Sequence, residues 1–207
     1  MRKNNTAAHP SCLYRGDDRQ RNVFVALSTC RDTISADLVI NNTHHNVQFI
    51  QRERRDAEMM ESGEDVNQAG KTVPADLPRV DFYHWVLVDI PASVTGLEEG
   101  AASQGVTPRG KSVGQTPHGI TGKNDYTGWF AGDPDMEGVY GSYDGPCPPW
   151  NDSIIHRYYF RVFALDVDTL NLSGAFTGQD ALEAMEGHVL GEAGHMGTYS
   201  MNPSVKS

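Results

Sequence analysis

The stretch that decides the reading is Tyr143-Asp144-Gly145-Pro146-Cys147-Pro148-Pro149-Trp150, followed by His156-Arg157-Tyr158-Tyr159-Phe160-Arg161-Val162-Phe163-Ala164-Leu165. Three prolines within residues 146–149 hold the backbone near a fixed φ and remove three N–H donors. Gly145 lacks a Cβ, so a partner can approach its backbone closely. The run from Tyr158 to Leu165 is aromatic and β-branched and reads as a strand. A period of two puts His156 and Tyr158 on one face. Upstream, Phe82-Tyr83-His84-Trp85-Val86-Leu87-Val88-Asp89-Ile90 is equally strand-like, and apolar residues on both of its faces mark a central strand. A protonated imidazole donates strongly to an anion, and an anion nearby favours that protonated form. His84, His156, the Tyr158 phenol and the backbone N–H groups of Gly145 and Cys147 therefore define a candidate anion pocket, with phosphate the leading guest.

The order His84-Trp85, Gly145-Pro146-Cys147-Pro148-Pro149, His156-Arg157-Tyr158 and Gly187-His188-Val189-Leu190 resembles the phosphatidylethanolamine-binding protein family, most closely its bacterial Raf-kinase-inhibitor-like members. The resemblance covers roughly residues 64 to 203. It implies an antiparallel Greek-key β-sandwich, no catalytic residues and no cofactor. It implies a ligand site at His84, Gly145, Pro146, Cys147, Pro148, His156 and Tyr158. The implied ligand is a phosphate-bearing small molecule, a phospholipid headgroup or a nucleotide-like compound. A kinase or protease partner and a homodimer follow from the resemblance alone. Two family features are not readable: the opening Asn-Val-Ser-Pro-like segment, and an Asp-Pro-Asp-x-Pro motif shortly before the His-Trp. Asp133-Pro134-Asp135 spells part of that motif but follows His84, so the family's pocket aspartate is not carried onto it.

Composition narrows the choices. The 207 residues carry a net charge of −10, which argues against nonspecific binding of nucleic acid or an anionic membrane surface. No apolar run approaches the roughly 18 residues of a transmembrane helix. The basic start, Met1-Arg2-Lys3, is not followed by the apolar segment of a secretory leader. Cys12, Cys30 and Cys147 are odd in number and far apart, as in a reducing compartment, so a cytoplasmic protein is expected.

Residues 1–60 read as an atypical N-terminal segment and residues 61–207 as the domain. The first sixty carry nine basic and seven acidic residues and only three of the eighteen aromatics. Val23–Leu27 and Leu38–Ile40 suggest short strands. Gln51–Met60 is rich in helix formers without an apolar stripe, which predicts a solvated helix or a disordered arm. His44-His45 point to opposite faces of a strand and suit no shared metal. Residues 92–142 form a glycine-rich connection anchored by Asn124–Phe130. Thr177 and Asp180 predict a capping box, and Leu182, Met185, Val189 and Ala193 predict one helix face ended by Gly194 and Gly197. Thr198–Met201 predicts a closing strand. His188 is expected to pack within that helix, and His118 and His195 to lie at the surface.

Two further functions compete with a binding protein. A metal-dependent hydrolase would use His84 and His156 with Asp144 or Cys147 as ligands around an open zinc position. An impaired family member, lacking the upstream aspartate, would bind weakly.

Overall fold

The structure is a computed structural model that describes residues 23–30, 33–40, 46–56, 65–98, 100–102 and 107–205. The first two strands, β1 (Val23–Cys30) and β2 (Thr33–Ile40), form an antiparallel hairpin from Val23 opposite Ile40 to Cys30 opposite Thr33. A six-stranded sheet follows, in the order β10-β9-β3-β4-β7-β6. Its members are β3 (Asn46–Asp56), β4 (Arg79–Ile90), β6 (Gly114–Thr116), β7 (Gly119–Thr121), β9 (His156–Leu165) and β10 (Val189–Tyr199). Short parallel strands β5 (Gly110–Lys111) and β8 (Val139–Tyr140) pair separately. Among the described residues the helices are brief: α1 (Tyr126–Trp129) and α2 (Gly178–Ala184). The protein is therefore mainly β. Among the described residues, no second large sheet faces the six-stranded one.

Strand β4 forms because its aromatic and β-branched residues can be buried on both faces. Every residue from Phe82 to Val88 is buried. One cluster packs Trp85, Leu87, Tyr143, Tyr158, Phe160 and Val162; another packs Tyr83, Val86, Val88, Phe163 and Leu165 against Phe176, Ala181 and Met185. Burying each such large side chain contributes about 1.5–3 kcal/mol. The two strands that carry the candidate histidines, β4 and β9, are not neighbours. Strand β3 lies between them, antiparallel to both, with Glu53 opposite Phe82 on one side and Tyr158 on the other.

That position corrects, for residues 51–56, the solvated helix or disordered arm expected at Gln51–Met60. Residues 51–56 continue β3, and residues 57–60 lie outside the described ones. A strand between β4 and β9 satisfies the facing backbone donors and acceptors of both, which outweighs a modest helix propensity. The first sixty residues thus supply an inner strand of the main sheet. The suggested strands at Val23–Leu27 and Leu38–Ile40 lie inside β1 and β2.

The second correction concerns the C-terminal helix. Thr177 does cap it: its side chain accepts from the Asp180 N–H, and the Asp180 carboxylate accepts from Thr177 N–H at 2.7 Å. The helix nevertheless stops at Ala184, and Val189 and Ala193 belong to β10, antiparallel to β9. Gly187, with φ at 81°, breaks the helix. Gly191, Gly194 and Gly197 each weaken a continued helix by about 1 kcal/mol relative to alanine. The expected closing strand at Thr198–Met201 is the end of β10, which closes at Tyr199. His188 therefore lies beyond the helix, with Nδ1 2.8 Å from Asp166 Oδ1.

The long glycine-rich connection is packed against β4. Asp125 clasps the Tyr83 backbone: its carboxylate accepts from Tyr83 N–H at 2.7 Å, and its own N–H donates to Tyr83 O at 2.9 Å. Asn124 and Tyr126 are buried beside it.

Candidate functional site

Strand β4 delivers His84 to the interior, where its ring lies 5.0 Å from Phe82, 5.6 Å from Tyr126 and 5.5 Å from Tyr158. The proline loop crosses directly over this ring. His84 Nδ1 donates to Asp144 O, and Asp144 N–H returns a bond to His84 O at 3.2 Å. A carbonyl only accepts, so Nδ1 carries the hydrogen. The next residue, Gly145, has φ at 142°, and a Cβ there would overlap His84 Nδ1. Glycine is needed for both reasons. The Gly145–Pro146 bond is cis.

Strand β9 opens with the second imidazole. His156 and Tyr158 share its buried face. His156 Nε2 lies 2.8 Å from Asp152 Oδ2, and Arg79 NH1 donates to the same oxygen at 3.0 Å. Arg79 comes from the first residue of β4. Burial pushes the Asp152 carboxyl up, but hydrogen bonds from His156 and Arg79 and their charges outweigh it and hold it below the ordinary range. Asp144 behaves differently. Its carboxylate receives Lys111 Nζ at 2.7 Å and Asn124 Nδ2 at 2.7 Å. Burial is nevertheless the largest influence and pushes its pKa up, with Lys111, Asn124 and His84 opposing.

The structure thus brings His84, Gly145 and Tyr158 into one cluster, with His156 on the same face of β9 as Tyr158. Exposure divides the seven candidate residues. His84, His156 and Tyr158 are at most 1% exposed and Pro148 is buried, whereas Gly145 and Pro146 are half-buried and Cys147 is exposed. Solvent therefore meets the loop from Gly145 to Cys147, with the rings one layer beneath.

Sequence reasoning missed Asp152, Arg79, Lys111 and Asn124. Asp144 entered it only as a metal ligand. The one local signal was Asp152 four residues before His156; Arg79 and Lys111 reach their carboxylates from distant segments. Asp133 is engaged elsewhere, accepting from Asp135 N–H and Met136 N–H in its own turn. His195 is exposed and His118 half-buried, while His44 and His45 lie outside the described residues. Among the described residues, no three of His, Cys, Asp and Glu gather as a metal-ligand set would. Nor is any described helix long and apolar enough to cross a membrane.

Residues 67–200 match the sequence profile of the family described as phosphatidylethanolamine-binding protein. The chain belongs to that family. The matched span contains all seven candidate residues of this phosphatidylethanolamine-binding protein family member, together with Arg79, Lys111, Asn124, Asp144 and Asp152. A UPF0098 protein of Methanothermobacter thermautotrophicus is 40% identical over 124 residues, covering 60% of this chain and 66% of its own length. One from Pyrococcus horikoshii is 37% identical over 124 residues, covering 60% of this chain and 52% of its own. The chain thus spans about two thirds of the first relative's length and half of the second's. Among solved structures, E. coli YbcL, described as a member of the mammalian PEBP family, is similar with a TM-score of 0.51 and 20% identity. That similarity covers 80% of this chain and 79% of YbcL, and it speaks for the fold alone.

Proposed function

We propose that this protein is a binding module for a small phosphate-bearing ligand, a phospholipid headgroup or a nucleotide-like compound. In this reading the ligand enters at Gly145–Cys147, the part of the proline loop that solvent reaches. It engages His84, His156 and Tyr158 as the loop yields. The observation that carries the reading is the seating of the loop on the His84 ring without any side chain at Gly145. Two imidazoles and a phenol beneath a loop poor in N–H donors make a site that selects an anion by few, well-oriented bonds. The global charge of −10 repels anions, so these local donors must supply the attraction. Membership of a family of binding proteins supports the class of function, and modulation of a kinase or protease partner extends it.

Calorimetric titration of phosphoethanolamine, a nucleotide and inorganic phosphate into wild type and His156→Ala tests the reading. Binding heat in wild type that is strongly reduced in the variant is expected. Equal heats in both proteins contradict it.

A further inference from the structure

We propose that Asp152 is the positioning residue of this site: clamped by Arg79 and tied to three other segments, it fixes the ring orientation and the tautomer of His156. The effect on ligand affinity rests on the binding reading above; the effect on the imidazole does not.

Every group hydrogen-bonded to the Asp152 carboxylate is a donor. Oδ2 accepts from His156 Nε2 at 2.8 Å and from Arg79 NH1 at 3.0 Å. Oδ1 accepts from Ile154 N–H at 3.2 Å and from Arg79 NH2 at 3.5 Å. The guanidinium fork is planar and always charged, so it holds the carboxylate in one plane and favours its ionised form. The backbone of Asp152 is equally fixed. Its N–H donates to Pro149 O at 3.2 Å, its O accepts from Asn202 Nδ2 at 2.7 Å, and it bridges to Val73. The proline loop, the approach to β4 and the segment after β10 therefore meet at one residue. Asp152 and His156 are each 1% exposed, so water has little room to substitute for either partner.

The consequence for His156 follows from donor arithmetic. An ionised carboxylate only accepts, so a neutral His156 must carry its hydrogen on Nε2. Its Nδ1 can donate only when the ring carries a second hydrogen. Asparagine at this position cannot satisfy the same surroundings. Its amide NH2 must face either Ile154 N–H or His156 Nε2–H, with Arg79 donors on both sides. The imidazole can relieve one of these clashes by moving its hydrogen to Nδ1, whereas the backbone N–H of Ile154 cannot change.

Nitrogen-edited NMR of the imidazoles in the full chain tests this without any ligand. Wild-type His156 is expected in the Nε2–H form. Asp152→Asn should shift it to Nδ1–H or to a mixture, while His188, paired with Asp166, stays unchanged as an internal control. A wild-type Nδ1–H form, or an unaltered His156 in the variant, overturns the proposal. Should Asp152→Asn fail to fold, Arg79→Met keeps the carboxylate and removes the clamp: the tautomer should persist with shifted ring signals, and signals identical to wild type overturn the clamp. Calorimetry with inorganic phosphate then reads the effect on binding. About tenfold weaker affinity in Asp152→Asn, from one misaligned charge-assisted bond, is expected. Wild-type affinity there overturns the role in binding. A wild type that binds no phosphate removes the binding reading, while the NMR still decides the role of Asp152.

Discussion

Asp144 and Asp152 stand at the two ends of the proline loop, both sealed from solvent; burial pushes both pKa values up, yet the net shifts have opposite signs. Asp144 has one cation, Lys111, and one amide, Asn124, and desolvation wins: its pKa is raised. Asp152 has Arg79, His156 and the Ile154 N–H, and the hydrogen bonds win: its pKa is lowered. The difference shows that burial alone does not set the state of a carboxylate. The number of charge-assisted donors aimed at it decides. One end of the loop is held by an ion pair under strain from desolvation, the other by a well-satisfied clamp.

The largest expected effect comes from removing the lone cation at the weaker end. Lys111→Met leaves Asp144 as an uncompensated buried charge and should cost about 3–5 kcal/mol in urea unfolding at neutral pH. The loss should shrink in acid, where Asp144 takes up a proton. A loss independent of pH would break the contrast between the two carboxylates. Next comes Gly145→Ala, which combines a strained φ with overlap on His84 and should cost about 2–4 kcal/mol. Wild-type stability in that variant would mean that the loop does not rest on the imidazole.

Arg79→Met at the stronger end should cost about 1.5–3 kcal/mol at neutral pH. Its loss, like that of the Lys111 variant, should shrink in acid; the pH dependence of the two carboxylates themselves is what separates the ends. A lowered folded-state pKa stabilises above the unfolded value of about 3.9. Asp152 therefore contributes at neutral pH, and its contribution fades as pH falls through its folded pKa. A raised pKa does the opposite: the cost of ionising Asp144 is absent below the unfolded value and develops as pH rises through its folded pKa. Urea unfolding across pH should thus show Asp152→Asn flattening the acid loss and Asp144→Asn removing a decline in stability as pH rises above the ordinary carboxylate range. Slopes of the same sign would contradict the assignment. The smallest effect is expected far from the loop. Glu192→Gln on the exposed edge breaks a bidentate pair with Arg161 and should cost under about 1 kcal/mol. A larger loss there would mean that the β10 edge carries more of the fold than the core strands suggest.

The same contrast explains what could be read from the chain. Strands β4 and β9 were legible because both are dense in aromatic and β-branched residues, and the proline loop because three prolines constrain it. Strand β3 was not, because Gln51–Asp56 is made of helix formers and only its place between β4 and β9 makes it a strand. The capping box at Thr177 and Asp180 was legible, but the helix length was not, since the apolar spacing runs on through glycines that break it. At the site, His84, Gly145, His156 and Tyr158 were marked by local pattern and by the family resemblance. Arg79, Lys111 and Asn124 were not, because each meets its carboxylate across a long span of chain and leaves no local signature.

The most direct measurement of the central claim is an NMR titration of inorganic phosphate that follows the imidazoles of His84 and His156. The account predicts that both rings shift together and saturate at one affinity, and that His156→Ala abolishes the response of His84. Phosphate that leaves both rings unmoved, or moves only exposed histidines such as His195, would contradict an anion site beneath the proline loop.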